Sequence, residues 1–391
     1  MIQWLGAAAL LVLSTSAHGA PYVPADDGTV LEVLATKRAD PEAIELRRLR
    51  AAAAAAPDEE SAAVRLARRF FDLALAEGDP RYIGYAQAAL RRWPESPSAS
   101  ADVLVLHGKL RQYRHDFEPA MADFALALKA DPANAAAHAW RAAIFMVQAD
   151  YPGARRECAL LAPLTTELHA VACAAYVDAT TGHARAAYDR LAAALARDRE
   201  GYPEFLLWIQ TRLAEMAWRA GDTAAAEAHF RKGLALGKDD NFLLAAYADL
   251  LLELGRPADA AALLKDWARS DTLLLRLALA AHALGRDDAP NLSRALGDRF
   301  AEAGLRGEKL HLQEEARYLL ELKGDAKAAL AAAAENYRTQ REPRDALILL
   351  EAAVAARDAA AAAPALRWLQ ETGFESRRLR EAAAKVAGLP K

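Results

Sequence analysis

Small and apolar residues recur along this chain at helical spacing, and the stripes they form come in pairs. Between His115 and Asn134, Ala120, Phe124 and Ala127 fall on one face. Pro132 then stops the helix, because its ring cannot continue one. Looser copies of the stripe follow down most of the sequence. The turns between them recur as well: "EGDP", "AGDT", "LGRP", "LGRD" and "KGDA". These set Gly78, Gly221, Gly255, Gly285 and Gly324 just past predicted helix ends, and Gly182 fills the same slot. Glycine adopts the left-handed conformation there, and a following Asp caps the next helix. The pattern predicts antiparallel helix hairpins stacked in series, an all-α solenoid in which each pair buries a face that it cannot bury alone.

The period is clearest from Ala101 to Asn134, a unit of 34 residues. Within it Leu104 is fourth, Gly108 eighth, Ala120 twentieth, Phe124 twenty-fourth, Ala127 twenty-seventh and Pro132 thirty-second. Gly108 and Ala120 lack bulk, so the two helix backbones can approach closely, and Phe124 fills the gap toward the next hairpin. These slots, with these residue types, resemble the tetratricopeptide repeat (TPR) family. Other units keep part of the set. Ala142, Tyr151 and Ala154 stand in one, Ala175, Gly182 and Ala187 in the next, and Leu213, Ala214, Gly221, Ala226 and Phe230 in a third. Tyr247, Ala248, Gly255 and Ala260 follow, then units near 272–303, 310–341 and 343–372, with an N-terminal pair near 59–93. The resemblance therefore implies a TPR-like superhelix of stacked antiparallel helix hairpins, eight or nine of them. The drift in spacing at "ARDREGYPEF" marks a candidate break. It divides the array into 59–200 and 201–374, flanked by a partly helical or disordered segment 20–58 and a C-terminal helix and tail 375–391.

Helical phase separates core from surface. At about 100° per residue, unit positions 4, 7, 8 and 11 share one arc, and positions 2, 5, 9, 12 and 13 lie opposite. In the family that opposite side lines a concave surface that receives extended peptides. Here it carries Lys109 and Tyr113 in one unit, Tyr176 in another, and Trp208, Glu215, Trp218 and Arg219 in a third, with Arg212 at the edge. Trp, Tyr and Arg dominate binding hot spots because each joins a large area to a polar handle. A partner-binding groove centred on Trp208, Trp218 and Arg219 is one reading. The other is an exposed helix supported by Arg212–Glu215 and Glu215–Arg219 spacing, with the tryptophans packed on a neighbour. The family's carboxylate clamp needs Lys and Asn at fixed groove slots. Lys109 is present without matching asparagines.

Composition agrees with the helical reading. Apolar residues make up 54%, alanine prominent among them, and alanine is the best helix former. The net charge is −4, from 49 basic and 53 acidic residues, which argues against a polyanion-binding surface and hence against nucleic acid. At the N-terminus, "WLGAAALLVL" (Trp4–Leu13) followed by small residues reads as a signal peptide over 1–19. The run is shorter than the roughly 20 apolar residues that span a bilayer. The expectation is export to the periplasm and a mature chain with no integral membrane segment. Cys158 and Cys173 fall on neighbouring helices of successive units. In an oxidising compartment they favour a disulfide, the alternative being two buried thiols.

Catalytic motifs find little purchase. "GLALGKDD" has one residue too few between its glycines for a phosphate loop, and Asp239 where Ser or Thr should hold magnesium. Glu308 and His311 have the Glu-x-x-His spacing of di-metal bundles but no second copy. The sequence therefore points to a non-catalytic scaffold or adaptor in the cell envelope, binding a protein or peptide in a concave groove. It is expected to have no cofactor, metal or small-molecule ligand. Two alternatives stand beside it. One is an envelope-glycan-associated accessory or hydrolase using carboxylates such as Glu215 and Asp249. The other is an architectural subunit that oligomerises through its convex face.

Overall fold

The computed structural model describes residues 41–197 and 201–389. The expected signal peptide, 1–19, lies outside the described residues, as does the segment from 20 to 40. Residues up to Arg47 form one unit and the chain from Arg48 onward forms another. In the first, only the start of helix α1 (Pro41–Ala55) is described.

The second unit is built of helix pairs in chain order. They are α2 (Glu60–Glu77) with α3 (Arg81–Leu90), α4 (Ala101–Tyr113) with α5 (Phe117–Ala130), and α6 (Ala135–Val147) with α7 (Tyr151–Leu161). Next come α8 (Glu167–Thr180) with α9 (Ala184–Arg197), α10 (Pro203–Arg219) with α11 (Thr223–Leu234), and α12 (Asn241–Glu253) with α13 (Pro257–Leu264). The last three pairs are α14 (Asp271–Ala283) with α15 (Ala289–Leu305), α16 (Leu312–Glu321) with α17 (Ala326–Thr339), and α18 (Pro343–Ala356) with α19 (Ala363–Thr372). Helix α20 (Arg377–Ala387) closes the array. On either side of the expected break at 200/201, α9 and α10 pack together inside one compact unit.

Local chemistry explains the hairpins. Ala120, Phe124 and Ala127 are wholly buried, and a Cβ added to Gly108 would stand 2.6 Å from the Phe124 ring. The helices α4 and α5 meet this closely only because that atom is missing. Each of the six predicted corner glycines has positive φ, from 62° to 83°. Asp222 and Asp325, next to two of them, accept from the amides of Ala225 and Ala328 and cap the following helices. Two corners without glycine, His115 and Ala149, take the same left-handed backbone (φ 61° for both). Cys158 on α7 and Cys173 on α8 are joined in a disulfide with Cα atoms 5.6 Å apart.

The array is wound tightly enough for its second turn to rest on its first. The corner at Gly78 abuts the Asn241 and Ser270 side chains. Glu77 pairs with Arg269 at 3.6 Å. His115 Nδ1 lies 3.2 Å from Gln340 Nε2, and the Arg341 amide donates to the Val147 carbonyl at 2.7 Å. Trp368 Nε1 donates to the Tyr151 hydroxyl at 2.7 Å, and the Ala184 amide to Glu375 at 2.6 Å. The corner at Gly182 sits against the Thr372 and Gly373 carbonyls. These contacts form a seam in which first-turn corners meet second-turn connections.

Candidate functional site

The first helix of each pair faces the inside of the spiral, and the residues singled out by helical phase sit there in three groups. Tyr176, Trp208, Arg212 and Glu215 come together on α8 and α10. The Trp208 ring meets the edge of Tyr176 at 5.8 Å, and the Arg212 guanidinium lies over both rings, at 5.0 Å from Tyr176 and 5.6 Å from Trp208. Arg212 Nη1 pairs with Glu215 at 3.0 Å, while its buried Nε has no hydrogen-bond acceptor among the described residues. The Tyr176 hydroxyl reaches Glu342 from the second turn at 3.4 Å, and burial pushes that hydroxyl well above the usual phenol range.

Lys109 and Tyr113 belong to a second group around Phe71. Lys109 Nζ stands 4.2 Å from the Phe71 ring centre and 5.3 Å from Trp140, and the Tyr113 ring meets Phe71 edge-on at 6.5 Å. Burial draws the Lys109 ammonium down to about 8, against the opposing charge of Asp72. Beside it lies a cavity of about 340 Å³, also lined by Arg68, Asp102, Asp131 and Asn134. Asn134 is engaged as the cap of α6, with its Oδ1 on the Ala137 amide.

Trp218 and Arg219 form the third group, at the seam. Trp218 Nε1 donates to Glu253 at 3.3 Å. The Arg219 guanidinium lies 4.4 Å from the Phe374 ring centre, and its Nη1 donates to the Ala179 carbonyl at 3.3 Å. The sequence reading put Trp218 and Arg219 beside Trp208 in one groove. In the structure Trp218 reaches α12 of the neighbouring hairpin, while Arg219 reaches Phe374 near the end of the chain.

Two features of the inner face join residues that the sequence did not bring together. The first is an aromatic ladder. His169 and Phe205 stack with ring centres 3.6 Å apart, Phe205 continues to Trp208 at 6.2 Å, and the exposed Tyr202 flanks both His169 and Phe205. Aromatic residues at helical spacing were available as a signal in "YPEFLLW". Phe205 and Tyr202, however, lie at and before the start of α10, where phase gives no direction. The second is a charge lattice. Asp249 on α12 accepts from Arg276 on α14 at 2.8 Å and from Arg317 on α16 at 2.5 Å. Burial pushes the Asp249 carboxyl up, but the two guanidiniums outweigh it and hold it at about 2. Glu342 and Arg344 pair at 2.9 Å nearby. Asp249 is thus a fixed anion between two arginines and Glu215 is tied to Arg212, an arrangement unlike a general acid facing a base. Glu308 pairs with Arg306 at 2.8 Å, and His311 faces Glu314 at 3.9 Å, so each is engaged with a different partner.

No family model matches the sequence, and no curated protein matches it. Solved structures match its fold. The crystal structure of the APC/C hetero-tetramer Cut9–Hcn1 aligns at TM-score 0.50 with 13% identity, covering 84% of this chain and 63% of that one. This chain therefore spans less than two thirds of that chain's length. Yeast Tom70 aligns at TM-score 0.46 and 14% identity over 89% of this chain and 84% of its own. A tetratricopeptide repeat protein from Parabacteroides merdae aligns at 0.43 and 14% over 61% and 92%. The fold is an all-helical, TPR-like solenoid of stacked hairpins.

Proposed function

We propose that this chain is a non-catalytic scaffold that holds a protein or peptide partner on the inner side of its solenoid, in the cell envelope. The observation that carries the reading is the aromatic ladder. It begins on exposed Tyr202 and runs inward through Phe205 and Trp208 to the Arg212 guanidinium. Stacked rings ending on a cation offer a partner a large, preformed contact area with little side-chain entropy to lose. The Lys109 cavity adds a second polar anchor on the same inner side, since Asp72 feels the charges of both Lys109 on α4 and Glu204 at the start of α10. The Cys158–Cys173 disulfide supports an oxidising compartment, as does the apolar run at Trp4–Leu13.

Affinity capture from envelope extracts, with the wild-type chain and with Tyr202→Ala and Trp208→Ala, tests this. A specific partner should be retained by the wild type and lost from both variants, with helicity unchanged by circular dichroism. A partner held equally by all three would place binding elsewhere and overturn the reading.

A further inference from the structure

The seam uses one rim of the first turn, and past the reach of the C-terminal helix the continuation of that rim is uncovered by the described residues. At Gly78, His115, Ala149 and Gly182 the second turn lies against the left-handed corner. The next corners in the series, Gly221, Gly255, Gly285 and Gly324, have the same backbone, with φ of 83°, 68°, 62° and 67°. All four are exposed, and among the described residues no heavy atom lies within 4 Å of where a Cβ would stand on any of them, although Phe374 lies over Arg219 beside Gly221 and Arg377 on α20 pairs with Glu253 beside Gly255 at 3.5 Å. Two of these bare corners also present an exposed leucine just before the glycine: Leu254 is 39% exposed and Leu284 42%. The covered corners carry Glu77, Arg114, Gln148 and Thr181 at that position.

The opposite rim shows the complementary surplus. The connections that cover corners carry Asn241, Ser270, Gln340 and Thr372, all buried. Ser270 is the cap of α14. First-turn connections present the same kind of cap, Ser100 on α4, Asn134 on α6 and Thr166 on α8, and none of these is buried. Among the described residues, one rim therefore repeats one side of the seam without a cover, and the other rim repeats the other side with nothing to cover.

We infer that a second copy of this chain docks its first-turn connections, around Asn134 and Thr166, on the bare corners at Gly255, Gly285 and Gly324. The interface continues the seam from one molecule into the next, head to tail. The two faces in contact differ, so each added copy leaves one of each exposed, and growth is open-ended rather than closed at a dimer.

Sedimentation equilibrium on the full chain over a range of concentrations tests the inference. Weight-average mass should rise with concentration past that of a dimer. Leu254→Asp combined with Leu284→Asp should remain monomeric, as should Ala133→Arg combined with Thr165→Arg. All four substitutions stand at exposed or half-buried positions. An equimolar mixture of the two variants should form a one-to-one dimer and nothing larger, since each retains the face the other has lost. A wild-type chain that stays monomeric overturns the inference. So does association that survives the corner substitutions, or a mixture that fails to pair.

Discussion

Replacing Tyr151 by Phe removes one oxygen and isolates one buried donor. Tyr151 and Trp368 are 7% and 5% exposed, and the indole Nε1 donates to the hydroxyl at 2.7 Å. No water can replace the lost acceptor in so closed a site without opening the seam. The variant should therefore lose about 1–3 kcal/mol, the cost of a buried donor left without a partner. Trp368→Phe leaves the hydroxyl, already pushed up to about 12 by burial, without its donor and trims the indole area as well. In the double variant both orphaned groups are gone, so the losses should fall short of additive by about 1 kcal/mol. Native-state hydrogen exchange is the assay, because a repeat array need not unfold in one step. The opening free energies of α7 and α19 should fall together in Tyr151→Phe, although one lies in the first turn and the other in the second. Strict additivity, or a loss confined to α7, would refute the reasoning.

Three further outcomes follow from the same geometry. Gly108→Ala drives a methyl to 2.6 Å from the buried Phe124 ring and should destabilise the array by about 1–3 kcal/mol, read by exchange in α4 and α5. Asp249→Asn leaves Arg276, whose side chain is 3% exposed, and Arg317 without their shared anion, and should cost about 3–5 kcal/mol in chemical denaturation. His229 sits between Gln210 Oε1 at 2.7 Å and the Tyr188 hydroxyl at 3.0 Å, and burial, with the Lys232 charge, depresses it to about 4. Its neutral form is favoured by folding, so its contribution is intact above the ordinary histidine value of about 6.5 and is lost as pH falls toward 4. His229→Gln should flatten the pH dependence of the unfolding midpoint across that window.

Much of the fold was legible in the sequence because its determinants are local. Gly108, Ala120, Phe124 and Ala127 act within one hairpin, and the six corner glycines answer a backbone demand that a single position reveals. The pair predicted near 343–372 is α18 with α19. The corners at His115 and Ala149 carried no such mark, because a left-handed residue other than glycine leaves no compositional trace. Helical phase put Tyr176 and Trp208 on one side of their helices, with Arg212 at the edge. It could not say what those side chains meet, since Glu342 approaches Tyr176 from 166 positions away in the sequence. The same limit hid the approach of Phe374 to Arg219 and the approach of Arg317 to Asp249. Contacts of that span depend on how many hairpins complete a turn, a sum of small rotations that no single repeat encodes.

A single amide tests the winding most directly. Arg341 lies between α17 and α18, and its N–H donates to the Val147 carbonyl in the third hairpin at 2.7 Å. If the second turn rests on the first, this connecting-loop amide exchanges with solvent as slowly as the core helices on either side of it. Exchange at the rate of an open loop, comparable to the exposed corner at Gly221, would mean that the two turns do not meet.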